Sequence, residues 1–231
     1  MTLGYLHGQN SARSRKGKIN NVDKFGLTIF PKVISVDSIR VFTLLEVPFY
    51  SIQFIKKNKK FLASYNLAVS LQNDDGKEVG HMIWSDSIIV DSYQETRSIT
   101  KSKKHAQTFT VTKKKYKIIA ELLDNDTRKK GNRQYRFDYS NLKKTPSILE
   151  PYFISGQTKD WNFKEGSLPS YGKRLKSLGE ELGICLSGFI KKGKYDILVE
   201  INYQNEESII DTISNTSKKE FFEKIILFDS N

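Results

Sequence analysis

Phe61-Leu62-Ala63-Ser64-Tyr65-Asn66-Leu67-Ala68-Val69-Ser70-Leu71-Gln72 decides the fold class. Its odd positions read Phe, Ala, Tyr, Leu, Val, Leu, and its even positions are mostly polar or small. Side chains on a strand point alternately to opposite faces, so this stretch has one apolar face and one solvated face. A helix would scatter the same apolar residues around its axis. The pattern suits an antiparallel sheet with one face on a core. Asn73-Asp74-Asp75-Gly76-Lys77 follows, and Asp-Gly is a strong hairpin signal because glycine accepts positive φ cheaply.

Upstream lies the basic stretch Phe54-Ile55-Lys56-Lys57-Asn58-Lys59-Lys60-Phe61. Phe189-Ile190-Lys191-Lys192-Gly193-Lys194-Tyr195 echoes it with one residue fewer. Alternation resumes at Tyr195, Ile197, Val199, Ile201 and Tyr203, about 134 residues after the first strand. A spacing that long predicts tandem β domains, since solenoid repeats are far shorter.

Working outward, the pattern predicts an all-β chain of two tandem immunoglobulin-like β-sandwich domains. Residues 1–32 read as a flexible leader, the first domain spans 33–140, a linker and irregular loop span 141–180, and the second domain spans 181–231. Strand signals in the first domain lie around Val41–Val47, 50–55, 60–72, Val79–Trp84, Ser87–Val90, Phe109–Val111, 116–123 and 135–139. Residues 91–105 read as a polar, Lys-rich loop or ragged edge. Three of the five prolines (Pro146, Pro151, Pro169) fall in the linker, with a lead-in strand near 147–154. Leu175, Leu178 and Leu182 have helical spacing, but Gly179 weakens a helix there by about 1 kcal/mol relative to alanine. Strands follow at 182–190, 195–204, 207–213 and 220–228. The second copy lacks a counterpart to the last two strands of the first, so the second sandwich is expected to be incomplete, either as a fragment or completed by a partner strand.

The net charge of +12 raises a nucleic-acid reading, which the composition disfavours. Only eight of the 38 basic residues are arginine; the rest are lysine, which keeps surfaces solvated and reads bases poorly. The lysines cluster in predicted turns at 56–60, 101–104, 113–117 and 191–194. An acidic surface such as a polysaccharide or anionic lipid is equally compatible with the charge. No segment approaches the roughly 20 apolar residues of a membrane helix. Met1–Gln9 is mildly apolar and resembles the end of a secretory signal with its earlier regions missing.

Catalytic signatures are sparse. His7, His81 and His105 are isolated and read as surface residues without metal-ligand spacing. No Gly-rich phosphate loop or G-x-S-x-G elbow occurs. Asp124-x-Asp126 begins like a calcium loop, but Arg128 stands where an oxygen ligand belongs, so a turn is the better reading. Cys185, in Leu182-Gly183-Ile184-Cys185-Leu186, reads as a small buried hydrophobe. Trp84 reads as a core residue, and Trp161, between Asp160 and Asn162, as the candidate exposed contact for a sugar. No cofactor is expected and no enzyme activity is assigned.

Val47-Pro48-Phe49-Tyr50-Ser51-Ile52-Gln53-Phe54-Ile55-Lys56, Phe61–Leu71, Asp75-Gly76-Lys77, Trp84, Tyr93-x-x-Thr96, Asp124–Gly131 and Pro169-Ser170-Tyr171-Gly172 together resemble bacterial GWxTD domain-containing proteins. The resemblance covers roughly residues 37–228. The Gly-Trp-x-Thr-Asp motif itself is absent, so nothing about its role transfers. The resemblance implies an exported bacterial protein with β-sandwich domains and no established activity. The expected function is non-catalytic, a binding or structural role at the cell envelope with an envelope protein or polysaccharide as partner. The alternative is a carbohydrate-binding or accessory module of an envelope enzyme whose catalytic part lies beyond residue 231.

Overall fold

The computed structural model describes residues 21–143, 146–155, 182–201 and 209–228. Their regular structure is nearly all strand, arranged in antiparallel sheets, as the alternation requires. The chain falls into two units. Among the described residues, one holds those up to Ile29, Phe42–Phe109 and Lys114–Asp138; the other holds Phe30–Val41, Thr110–Lys113 and those from Tyr139 on. The division is therefore not a single cut near residue 140, as tandem domains would give.

In the first unit the organising strand is β4 (Lys60–Asn73), preceded by β3 (Ile55–Lys57) and followed by β5 (Glu78–Val90). Further along come β7 (Lys115–Asp124) and β8 (Lys130–Asp138). β3 and β7 share one edge of β4, β5 takes the other, and β8 lies beyond β7. The odd face of β4 is sealed: Ala63, Tyr65, Leu67, Val69 and Leu71 are all buried, while the even face is only partly covered. Across the β7 edge, Leu67 sits opposite Leu122, Val69 opposite Ala120, and Leu71 opposite Ile118. All six of these side chains are buried, which makes β4 and β7 the apolar centre of the unit.

The turns carry the predicted chemistry. Asn58 and Lys59 both take left-handed backbone (φ 49° and 66°) between paired Lys57 and Lys60, the two-residue turn whose twist matches a hairpin. Gly76, at φ +78°, closes the Asn73–Lys77 turn, where the Asn73 amide donates to the Lys77 carbonyl at 2.9 Å.

The second sheet is β1 (Gly26–Val33), β2 (Ile39–Pro48) and β6 (Ser102–Val111), in the order β1-β2-β6. Residues 21–32, expected to belong to a flexible leader, are structured. Asn21–Lys24 forms a 3-10 turn, and β1 follows it. Val22, Phe25, Ile29, Phe30 and Val33 are buried, so this segment is held by the apolar burial that a leader lacks. The stretch 91–105 is likewise more ordered than expected. It contains one helical turn, α1 (Tyr93–Thr96), capped by the Ser92 hydroxyl accepting from the Glu95 amide, and then the start of β6.

In the second unit β9 (Ser147–Ile148), β10 (Tyr152–Ser155), β11 (Leu182–Phe189) and β14 (Phe221–Phe228) form one sheet. β12 (Gly193–Ile201) and β13 (Ile209–Ser217) pair separately. Ile184, Leu186, Ile197, Phe222 and Ile226 form its core. Cys185 is buried opposite Tyr152, and burial pushes its thiol up to about 12. This agrees with its reading as an apolar filler.

The echo at Phe189 is not a structural repeat. β3 and β4 form a hairpin, whereas β11 and β12 lie in different sheets and do not pair. The second copy is one residue short, and Gly193 at φ +143° replaces the paired left-handed residues of the first turn. The chain therefore leaves one sheet for another instead of folding back.

Candidate functional site

Trp161 lies outside the described residues. Trp84, on β5, is half-buried, and its ring lies 5.2 Å from that of His105 on β6. This agrees with a packing role for Trp84 and corrects the reading of His105 as a surface residue. His105 is buried because it alternates in phase with Phe109 and Val111, both also buried. His81, by contrast, is exposed and pairs with Glu78 at 3.0 Å.

The Tyr65 hydroxyl and His105 Nε2 are 2.8 Å apart, a hydrogen bond that either neutral tautomer satisfies. Asp86 Oδ2 lies 3.6 Å from the same nitrogen and 3.4 Å from Lys103 Nζ. Burial, and then the Asp86 charge, raises the Tyr65 pKa well above the ordinary phenol value. Burial also lowers the His105 pKa, with Lys103 acting in the same direction and Asp86 opposing. Tyr65 is fully enclosed and His105 nearly so, so the pair offers no face to a solute.

The His105 environment sets a pH dependence. A histidine whose folded pKa lies below its free value takes up fewer protons folded than unfolded. Its contribution is fully present above about pH 6.5, the free value, and is lost as pH falls through the lower folded value. Melting temperature should therefore fall between pH 7.5 and pH 5, and His105→Gln should flatten that slope. An equal slope in both proteins would place the acid sensitivity elsewhere.

An open groove lies at the far end of the same sheet, with a volume of about 420 Å³, within the range of small-ligand sites. Gln72, Asn73, Asp74 and Gly76 contribute from the β4–β5 turn, Lys115 and Lys117 from β7, and Arg136 and Asp138 from β8. Register fixes its chemistry. Lys117 stands opposite Gln72 on one side and Arg136 on the other, so two cations face each other across neighbouring strands. Directly opposed like charges are mutually unfavourable. The nearby Lys115 and Asp138 are opposite partners 3.9 Å apart and offset one another. Tyr116 and Phe137 also border the groove and stack on each other at 5.7 Å, but strand alternation directs their rings to the other face of the sheet. The groove thus mixes polar and apolar surface, sets Lys115, Lys117 and Arg136 against the carboxylates of Asp74 and Asp138, and lacks a stacking platform. The sequence shows these residues only as two unrelated basic positions; they meet through the β7–β8 register.

The Asp124 loop is organised by backbone amides. Its carboxylate accepts from the amides of Gln53 at 2.8 Å, Asp126 at 2.9 Å and Thr127 at 3.2 Å. Among the described residues no helix is long and apolar enough to cross a membrane.

No family model matches the chain, and no curated protein does. Among solved structures it is similar to part of a chain described as a β-galactosidase from Bacteroides fragilis, with TM-score 0.35, 15% identity and 49% of this chain covered. It is also similar to part of a Bacteroides uniformis β-glucuronidase, with TM-score 0.33, 13% identity and 57% covered. The chain spans 16% and 14% of the length of those two proteins.

Proposed function

We propose that this chain is a non-catalytic β-sandwich binding module that takes an acidic, hydroxyl-rich ligand, a segment of uronate-bearing polysaccharide, in the groove between the β4–β5 turn and β8. The observation that carries this reading is the Lys117–Arg136 cross-strand pair. A carboxylate placed between the two cations removes their mutual repulsion and gains charge-assisted hydrogen bonds, with the planar guanidinium offering a bidentate fork. Gln72, Asn73 and Asp74 supply donors and acceptors for hydroxyl groups beside it. The enclosure of the Tyr65–His105 pair supports a structural role for the most catalytic-looking cluster among the described residues. Export to a bacterial envelope, implied by the motif resemblance, is part of this proposal.

Calorimetric titration with hexagalacturonate and with neutral cellohexaose tests it. The acidic sugar should bind and the neutral one should bind at least tenfold more weakly. Lys117→Ala with Arg136→Ala should lose at least tenfold of the affinity without lowering the melting temperature, since both side chains lie on the accessible face and repel each other. Equal binding by the wild type and the double variant, or no binding to either sugar, would overturn the proposal.

A further inference from the structure

The opposite end of β4 has a different chemistry. The hairpin turn presents Lys56, Lys57, Lys59 and Lys60, all exposed. Lys60 pairs with Asp91 at 3.3 Å; among the described residues no carboxylate pairs with the other three. Beside the turn, Leu62 stands between Ile55 on one edge and Ile89 on the other. Those two isoleucines are 43% and 63% exposed, so one row of three adjacent strands carries aliphatic groups into water.

A single exposed isoleucine needs no explanation. Here a continuous aliphatic row on one face of the sheet adjoins a turn of four exposed lysines, at one end of β4. Lysine stems lie along apolar surface while their ammonium groups reach outward. Nucleic acid offers the lysines phosphates but gives protruding isoleucines nothing to enter. A bilayer leaflet with anionic headgroups satisfies both groups at once, taking aliphatic side chains at the headgroup–acyl boundary and lysines at the negative surface.

We infer that the β3–β4 turn, with Ile55, Leu62 and Ile89, is a peripheral docking surface for an anionic lipid membrane. The stretch of β4 from Leu62 to Gln72 separates this surface from the groove by roughly 33 Å at about 3.3 Å per residue. The module would rest on a membrane by one end and leave the groove open at the other. The inference does not depend on what the groove binds.

The test is co-sedimentation of the full chain with vesicles of phosphatidylcholine alone or with 30% phosphatidylserine. Binding is expected only to the mixed vesicles, and should weaken at least tenfold in 0.5 M salt. Lys56→Gln with Lys57→Gln and Lys59→Gln should reduce it at least tenfold. Ile55→Ser with Ile89→Ser should also reduce it at least fivefold. Lys117→Ala with Arg136→Ala should leave vesicle binding intact, which separates failure here from failure of the groove reading. Absence of vesicle binding by the folded wild type would overturn the inference. So would vesicle binding indifferent to the isoleucine substitutions, because it would mark a general polyanion surface.

Discussion

Leu67→Ala is expected to lower stability by about 3 kcal/mol, within the range for buried leucine truncations. Leu67 is completely buried, with Trp84 opposite on β5 and Leu122 opposite on β7. Both neighbouring strands are fixed by their own hydrogen-bonded registers, so the site can collapse little around the lost methyl groups. The cost is then both the lost transfer free energy and the cavity left behind. For a chain of this size the melting temperature should drop by roughly 6–12 °C. Ser70→Ala, on the partly covered face of the same strand, should change stability by less than about 0.5 kcal/mol. Similar losses from both variants would show that the two faces of β4 are not distinguished by burial.

Asp124→Ala is expected to cost about the same, roughly 3 kcal/mol, for an electrostatic reason. Asp124 is 1% exposed, and its two oxygens satisfy three backbone amides. Hydrogen bonds to a charged acceptor contribute about 1.5–3 kcal/mol each, and removing the acceptor leaves buried donors unpaired. One of those donors, Gln53, is 71 residues away in sequence, so the substitution loosens the segment entering β3 as well as its own turn. Asp124→Asn keeps one acceptor oxygen and should lose less than alanine. Chemical denaturation of the three proteins checks the order wild type, then asparagine, then alanine. An alanine variant as stable as the wild type would mean that these amides find other partners.

The face of β4 was legible because five successive inward positions obey one period, with the Asp-Gly turn after them. β7 was legible for the same reason, through Ile118, Ala120 and Leu122. β5 read as two pieces because Ser85-Asp86-Ser87 interrupts its apolar positions; in the fold it is one strand whose Asp86 faces inward toward Lys103 and His105. β1 was missed because Pro31 and Lys32 break a short run that tertiary burial completes. The echo misled because lysine-flanked strands look alike in sequence, while left-handed backbone at Asn58 and Lys59 decides whether the chain turns back. His105 had a readable signal, its phase with Phe109 and Val111, hidden by two preceding lysines. The groove had none, since Lys117 and Arg136 become neighbours only once the register is set.

The groove reading is tested most directly by a heteronuclear correlation titration of isotope-labelled protein with hexagalacturonate at physiological salt. The predicted result is saturable shifts confined to the amides of Gln72, Asn73, Lys117 and Arg136 and their immediate neighbours, with those of Lys56–Lys60 unmoved. Shifts spread over every exposed lysine turn, or no saturable shift at the groove, would contradict it.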